Sequence, residues 1–399
     1  KTLPLKVDLW RCIWERTVMR SRLFRRAFGT GLRVCTLRSR WWQIAAPIPM
    51  TLRCQLGWTR FQNLSHIHGM FTTVRYANLY EKFLKILITG ATGFIGSHVV
   101  KRLVTEGHDV HAIIRPQSDT HKIVEVLADI VIWRGDLNEP ETLTDRISDV
   151  QPETCIHLAW DVQPGQYQHA LSNVQNLGST LGLATRLAAN GCQRFIGVGT
   201  CFEYDVSAGY LSETTAISPD SLYAACKTAA SVGLEKIGND SGMQTAWARL
   251  FYQYGPFEDE RRLVPSILIS IMNDEMTKTT EGAQVRDFLH VEDVASAIGA
   301  VAHSDLTGVV NVGSGEPVRV REIVQKIGEI TGREDLIEFG ALPYRESDPM
   351  FVCANNRRLV DGAGWTPTYD LDSGLRQTAD WLRRERSTPD VSTTPGADA

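Results

Sequence analysis

The feature that most constrains the fold is a buried strand that runs directly into a glycine-rich turn and a helix. The apolar run Lys85–Thr89 is followed by Gly90-Ala91-Thr92-Gly93-Phe94-Ile95-Gly96, and residues 97–103 then follow a helical pattern. Glycines at such a turn let the backbone approach a pyrophosphate, and the N–H groups at the helix N-terminus favour an anion. The sequence therefore predicts a dinucleotide-binding strand–turn–helix unit.

Strand-like and helix-like segments alternate along the rest of the chain. Apolar runs bounded by turn signals recur at residues 85–89, 109–114, 130–133, 154–159, 194–199 and 245–251. Helix-length stretches such as 96–106 and 176–189 lie between them. This rhythm predicts an α/β protein with a Rossmann-like, doubly wound parallel sheet, here of seven strands.

Four regions are predicted. Residues 1–82 form a basic extension that we expect to be poorly ordered, and 83–250 form the NAD(P)-binding domain. Residues 251–385 form mainly a smaller substrate-binding lobe, and the Ser/Thr/Pro-rich residues 386–399 are expected to be a disordered tail.

Charge is unevenly distributed between these regions. Residues 1–80 carry 14 Lys and Arg against two acids, so the remainder of this −4 chain carries a formal charge of −16. An acidic body does not suit a nucleic-acid-binding enzyme. A transit-like segment and a membrane-surface or nucleic-acid arm remain alternatives to an unfolded upstream stretch for the basic extension.

The cysteines argue for a reducing compartment. Eight are spread over 399 residues without a Cys-x-x-Cys pair, and no histidine cluster has a metal-ligand spacing. We expect reduced thiols, a cytoplasmic protein, no membrane span and no metal site.

A tyrosine and a lysine are spaced for proton chemistry. Tyr223-Ala224-Ala225-Cys226-Lys227 places the two side chains on one helix face. Free tyrosine, with a pKa near 10, is a poor base at neutral pH, whereas a nearby ammonium lowers that pKa. The spacing predicts a Tyr–Lys pair that serves hydride transfer at an alcohol or ketone carbon.

The Gly-x-x-Gly-x-x-Gly spacing of the turn resembles that of extended members of the short-chain dehydrogenase/reductase superfamily. The resemblance implies a third catalytic residue, Thr200, in Gly-Val-Gly-Thr-Cys-Phe-Glu-Tyr, and a structural role for Asn176 behind the lysine. The catalytic residues expected are thus Thr200, Tyr223 and Lys227. The cofactor-binding residues expected are Gly90, Thr92, Gly93, Phe94, Ile95, Gly96, Arg115, Asp136, Leu137, Leu158, Ala159, Tyr223 and Lys227.

The end of the second strand indicates which dinucleotide is used. NAD enzymes usually place an acid there for the ribose 2′-OH, but this chain has Ile114 followed by Arg115. A guanidinium suits a 2′-phosphate, so NADP is favoured over NAD.

The second half resembles the substrate lobe of extended members that bind nucleotide-sugars. Val285-Arg286-Asp287-Phe288 and Tyr344-Arg345 resemble motifs whose arginines contact a diphosphate, and Asn311-Val312-Gly313-Ser314-Gly315 and Gly364-Trp365-Thr366-Pro367 match further landmarks. The substrate-binding residues expected are Thr200, Tyr252, Arg286 and Arg345. His290 is interpreted as a core histidine.

Three functions remain open on the sequence. Cys201 and Phe202 occupy the positions of the acid/base pair of related dehydratases, which disfavours dehydration. A 4-ketoreductase of an NDP-4-keto-6-deoxyhexose is favoured, and an NDP-sugar 4-epimerase with retained NAD is the alternative. A non-catalytic NADP-binding regulatory protein is the third reading, and a homodimer is expected through the helices at 176–189 and 223–238.

Overall fold

A computed structural model describes residues 83–139, 141–345 and 348–387. The predictions for residues 1–82, and those for 388–399 of the tail, lie outside these described residues. Residues 386 and 387, assigned to the tail from the sequence, belong instead to the last helix.

The strands are β1 (Lys85–Thr89), β2 (Asp109–Ile114), β3 (Val131–Arg134), β4 (Thr154–His157), β5 (Arg194–Thr200), β6 (Tyr210–Leu211), β7 (Gln244–Leu250), β8 (Tyr252–Tyr254), β9 (Thr277–Lys278), β10 (Val285–His290), β11 (Gly308–Val312), β12 (Pro317–Arg319), β13 (Ile337–Glu338) and β14 (Phe351–Ala354). The helices are α1 (Phe94–Thr105), α2 (Glu141–Val150), α3 (Ser172–Ala189), α4 (Leu222–Ser241), α5 (Leu263–Met272), α6 (Val291–His303), α7 (Val320–Thr331), α8 (Arg357–Ala363) and α9 (Leu371–Ser387). Short 3₁₀ segments lie at His121–Asp129, Cys201–Glu203, Val206–Ala208 and Glu334–Leu336.

Seven strands form one sheet in the order β11-β7-β5-β4-β1-β2-β3, and every neighbouring pair is parallel. The predicted Rossmann-like sheet is confirmed. Its strands are apolar because both faces are covered. Ile86 and Ile88 of β1 face the core beneath α1 and α6, whereas Leu87 between them faces the core beneath α3 and α4.

The outermost strand comes from beyond the expected domain boundary. β11 pairs with β7 in register over five residues, although the two are separated in sequence by β8, α5, β9, β10 and α6. The chain therefore enters the smaller lobe after β7 and returns with β11 to complete the large sheet, so residues 251–385 contribute to both.

The smaller lobe has its own sheet, β12-β10-β14-β6, with β8 paired to β10. Its apolar core packs between α5, α7 and α9 and includes Ile267, Leu268, Ile323, Val324 and Leu375. Among the described residues, no helix combines the length and apolarity that a membrane crossing requires.

Two buried aspartates, Asp287 and Asp293, explain why the motifs of the second half of the sequence occur where they do. The Asp287 carboxylate accepts hydrogen bonds from the backbone N–H groups of Ser314 (2.7 Å), Gly315 (2.9 Å) and Ala354 (3.0 Å). The Asp293 carboxylate in turn accepts from Thr368 N–H (2.8 Å) and from the neighbouring amide of residue 369. These motif residues hold loops in place, since each carboxylate satisfies backbone donors that would otherwise be buried unpaired.

Candidate active site

In the turn between β1 and α1, backbone segments pack against each other without room for a side chain between them. Gly90 has a φ of +71°, and a Cβ there would lie 2.7 Å from the Ala159 nitrogen. A Cβ on Gly96 would lie 2.0 Å from the Gly90 oxygen, and Gly93 N–H donates to that same oxygen at 3.0 Å. α1 begins at Phe94 without a side-chain cap, so the turn presents helix N–H groups as a diphosphate requires.

A buried histidine links the ends of β1 and β4. His157 Nδ1 lies 2.8 Å from Thr89 Oγ1, and His157 Nε2 lies 2.9 Å from Thr180 Oγ1 on α3. Burial lowers the pKa of His157 to about 3, so the ring is neutral at physiological pH. Thr180 donates to the Asn176 carbonyl at 2.7 Å, while the buried Asn176 Nδ2 has no hydrogen-bond partner among the described residues.

Thr200 and Tyr223 meet at the end of β5. Thr200 is the last residue of the strand, and Tyr223 lies in the first turn of α4, which Ser221 caps. Burial raises the pKa of the Tyr223 phenol, and the neighbouring Thr200 hydroxyl opposes this shift more weakly. Tyr167 packs edge-on against the Tyr223 ring at 4.8 Å between centroids. Tyr223 is therefore a neutral phenol that can donate a proton.

Lys227 is hydrogen-bonded to the strand that leads to Thr200. Its Nζ donates to the Val198 carbonyl at 2.6 Å and lies 3.8 Å from the centroid of the Trp160 ring. Burial lowers the pKa of Lys227 to about 7, and the nearby Glu203 carboxylate opposes this shift. Burial dominates the pKa of the Tyr223 phenol in this arrangement, and the expectation that Lys227 lowers that pKa stays a prediction for the protein with dinucleotide bound.

A fully buried ion pair lies beneath Thr200. Glu203 Oε2 lies 2.8 Å from Arg249 Nε, and the two side chains are 0% and 4% exposed. Glu203 Oε1 accepts hydrogen bonds from the Thr200 backbone N–H (2.8 Å) and from Trp247 Nε1 (2.9 Å). The Thr200 hydroxyl accepts from Phe202 N–H at 3.3 Å, which completes a capping box with Glu203. Sequence reasoning missed this pair, although a Glu three residues after a Thr is a recognised signal.

The two residues after Thr200 carry no acid/base chemistry. Cys201 is 1% exposed, and burial raises the pKa of its thiol to about 12. Phe202 packs against Tyr252 with centroids 6.2 Å apart. Tyr252 also lies against Arg286, whose guanidinium carbon is 5.4 Å from the ring centroid, so the predicted substrate residue Tyr252 lies between Phe202 and Arg286.

The two predicted diphosphate arginines differ in setting. Arg286 is buried on β10 and its guanidinium contacts Asp348 at 2.6 Å. Arg345 is exposed, and its carbonyl accepts from Asp348 N–H at 3.0 Å. Asp348 thus brings both to one loop, and an anion must replace the Asp348 carboxylate to reach Arg286.

The ends of β2 and β3 form a basic corner. Arg115 follows β2 and is exposed, and Arg134 ends β3 beside it in register with Ile114. Arg134 Nη1 donates to the Pro116 carbonyl at 2.9 Å. Asp136 Oδ1 accepts from Asn138 N–H at 2.9 Å, and Leu137 packs against the core. Arg134 was not predicted, because its proximity follows only from strand pairing.

His290 and the described cysteines match their interpretation. His290 is 1% exposed, and its Nε2 lies 3.1 Å from Gln377 Oε1, as expected of a satisfied core histidine. The cysteines among the described residues, Cys155, Cys192, Cys201, Cys226 and Cys353, are all free thiols.

Comparison with known proteins fits this geometry. The model of the "NAD dependent epimerase/dehydratase family" matches residues 86–313, which contain the turn, Thr200, Tyr223 and Lys227. The chain belongs to this family. The match ends at Gly313, directly after β11, so it includes that strand.

Named relatives act on nucleotide-sugars. UDP-glucuronic acid decarboxylase 1 of Danio rerio is 26% identical over 75% of this chain and 73% of its own length. UDP-N-acetylglucosamine 4-epimerase of Methanobrevibacter ruminantium has a TM-score of 0.70 at 26% identity, over 76% of this chain and 99% of that one. MoeE5, solved with UDP-glucose and NAD, has a TM-score of 0.64 at 29% identity, over 76% and 99%.

Proposed function

We propose that this chain is an NAD(P)-dependent oxidoreductase that reduces the 4-keto group of an NDP-4-keto-6-deoxyhexose. The observation that carries the proposal is the Thr200–Tyr223 pair at the sheet edge, followed by an inert Cys201 and Phe202. That set can move one proton at one oxygen. It has no second acid/base pair to eliminate water, which supports reduction over dehydration.

The protein side of the reduction is proton delivery. A bound nicotinamide supplies hydride to the carbonyl carbon. Tyr223 donates its phenolic proton to the oxygen as negative charge develops there, and Thr200 donates a hydrogen bond to the same oxygen. Lys227, released from the Val198 carbonyl, stabilises the resulting phenolate until a proton from solvent restores the phenol. A neutral Tyr223 favours this reductive direction.

The residues at the sheet edge fit an NADP molecule. The turn at Gly90 and Gly96 leaves no room for a Cβ, as expected of a backbone that cradles a diphosphate. Arg115 and Arg134 together offer two guanidinium groups where a 2′-phosphate would lie, and no acid ends β2. We propose NADP as the preferred dinucleotide on these grounds.

A substrate panel tests the proposal. Purified protein is mixed with NADPH or NADH and either an NDP-4-keto-6-deoxyhexose, UDP-glucose, UDP-N-acetylglucosamine or UDP-glucuronic acid. We expect the absorbance of NADPH to fall with the NDP-4-keto-6-deoxyhexoses and not with the three UDP-sugars. Product analysis then gives the stereochemistry at C4. Conversion of a UDP-sugar to its C4 epimer without net change in the dinucleotide would instead establish an epimerase.

A 4-epimerase with retained NAD is the second candidate. It is favoured by the likeness to the M. ruminantium 4-epimerase over three quarters of the chain. An epimerase must first take a proton from the sugar hydroxyl, which requires Tyr223 to ionise despite its raised pKa. Dinucleotide that stays bound through purification would favour this candidate. Binding of NADP without turnover of any panel member would support a regulatory role.

We further propose a homodimer formed through α3 and α4. Val174 on α3 and Val232 on α4 are each 54% exposed although apolar. Leu187 and Leu234 of the same two helices are buried in the core of the chain itself, so they are not available to a dimer seam. Sedimentation velocity at micromolar concentration should give a dimer that Val232→Glu dissociates, and a wild-type monomer would refute this.

A further inference from the structure

Two histidines and a glutamate converge at the edge of the sheet opposite to Thr200. Glu106 is the C-cap residue that directly follows α1. His108 directly precedes β2, and His303 is the last residue of α6. His108 and His303 are 195 residues apart in sequence, and their Nε2 atoms lie 3.0 Å apart. Glu106 Oε2 lies 3.6 Å from His108 Nε2 and 3.8 Å from His303 Nε2.

These three separations have the dimensions of a coordination sphere. They are the sides of a triangle whose centre lies about 2.0 Å from every vertex, close to the roughly 2.0–2.2 Å of zinc–nitrogen and zinc–oxygen bonds. The ring centroids of His108 and His303 lie 4.8 Å apart, too close for two Nε2 atoms pointing straight at each other across 3.0 Å. The two rings are therefore not aligned head-on, as two imidazoles that share one ion would also not be.

The Glu106 carboxylate is held with one oxygen on the side of the two histidines. Arg102 Nε binds Glu106 Oε1 at 2.7 Å, which fixes the group and leaves Oε2 on the histidine side. Oε2 is shielded from solvent and has no hydrogen-bond partner among the described residues. Gly299 of α6 lies opposite, where a Cβ would be 3.8 Å from Oε2, an ordinary van der Waals distance. A buried, unpartnered carboxylate oxygen is costly unless a cation compensates it.

We propose that Glu106, His108 and His303 bind a divalent transition-metal ion such as Zn²⁺. Two imidazole nitrogens and one carboxylate oxygen are a borderline donor set that suits zinc rather than calcium or magnesium. The ion would join the C-terminal ends of α1 and α6 to the start of β2, far from the reacting carbon. Its role would be structural, and water would complete the coordination.

One contact sets the expected affinity. Leu84 N–H lies 3.4 Å from His108 Nδ1 and donates to it, which places the proton of the neutral ring on Nε2. Coordination must move this proton to Nδ1 and break that long hydrogen bond. We therefore expect binding in the micromolar range rather than tighter.

The experiment is a metal titration of the full-length, untagged chain after dialysis against a chelator. Zn²⁺ binding is measured by calorimetry, and Co²⁺ binding by visible absorption. Wild type should bind one equivalent that Glu106→Gln and His303→Ala weaken at least about tenfold. The matched control is His121→Ala, an exposed imidazole with a single carboxylate neighbour, Asp119, at 2.6 Å, and it should leave this equivalent intact.

Thermal melting provides the second readout. Zn²⁺ at about 100-fold above its dissociation constant should raise the wild-type Tm by several degrees and that of His303→Ala by much less. Circular dichroism of the metal-free variants checks that they are folded. Equal binding by wild type and both variants would overturn the proposal, as would the absence of binding at millimolar metal. A thiolate-to-cobalt charge-transfer band would also overturn it, by placing the ion on cysteine.

Discussion

Replacing Glu203 by glutamine tests whether the buried ion pair beneath Thr200 maintains the site. The substitution keeps the shape of the side chain and removes its charge, so Arg249, whose side chain is 4% exposed, loses its counter-charge. Breaking a buried pair by removing one partner typically costs about 3–5 kcal/mol. We expect the lower end, about 3 kcal/mol, because the amide oxygen still accepts from Thr200 N–H and Trp247.

For the roughly 300 described residues, an unfolding entropy of about 2.1 cal/mol/K per residue converts about 3 kcal/mol into a Tm decrease of roughly 5 °C. Differential scanning calorimetry without dinucleotide measures this decrease. The control is Glu235→Gln, a surface acid beside Lys236, whose Tm should equal that of the wild type. The double variant Glu203→Gln/Arg249→Met removes both charges and should recover part of the loss, since no charge is left unpaired. A Glu203→Gln protein that melts within 1 °C of wild type would refute the reasoning.

The same variant should affect chemistry as well as stability. Loss of the Glu203 charge removes the influence that raises the pKa of Lys227, so that pKa should fall below about 7. Thr200 also loses part of the hydrogen bonding that fixes its position. We expect kcat/KM to fall about tenfold in folded protein, with the largest change in kcat because the groups act on the reacting oxygen. An unchanged pH profile would mean that Glu203 serves stability alone.

Three further predictions concern the proposed function. Tyr223→Phe should keep the fold and the Kd for NADPH but lower kcat by about 10²–10⁴-fold, and near-normal turnover would contradict the proton-donor role. Because the folded pKa of Lys227 (about 7) lies below its unfolded value, the unfolded chain binds more protons between these values and wild-type stability rises with pH there. The Tm gain of Lys227→Met in dinucleotide-free protein should therefore be largest near pH 6.5 and shrink towards pH 9.5, whereas a constant gain would show that Lys227 is not desolvated. Arg115→Asp should raise the Kd for NADPH much more than that for NADH in fluorescence titrations, Arg134→Ala should do so less strongly, and equal losses would exclude contact with the 2′-phosphate.

The sequence predicted those parts of the fold that depend on local pattern. The bounds of β1 and β2 and the turn at Gly90 follow from an apolar run and glycine spacing, and both agree with the structure. The helix that carries Tyr223 also has a local signal at its start, because Ser221 caps it.

Features that depend on remote partners were not predicted. Arg134 lies beside Arg115 only because β2 pairs with β3, and Glu203 meets Arg249 only because β5 pairs with β7. The effect of burial on the pKa of Tyr223 was not predicted, for a related reason. Burial depends on the packing of Tyr167 against the ring, and no local pattern around Tyr223 contains that contact.

The return of the chain to the large sheet has a consequence for biosynthesis. The 57 residues between β7 and β11 must be translated before β7 receives its second neighbour. At about 5–20 residues per second, the nascent chain carries an open edge strand for roughly 3–11 seconds. Unpaired N–H and C=O groups on such an edge can pair with other chains. The ribosome-bound intermediate, rather than the finished enzyme, is therefore the species that most needs protection from aggregation.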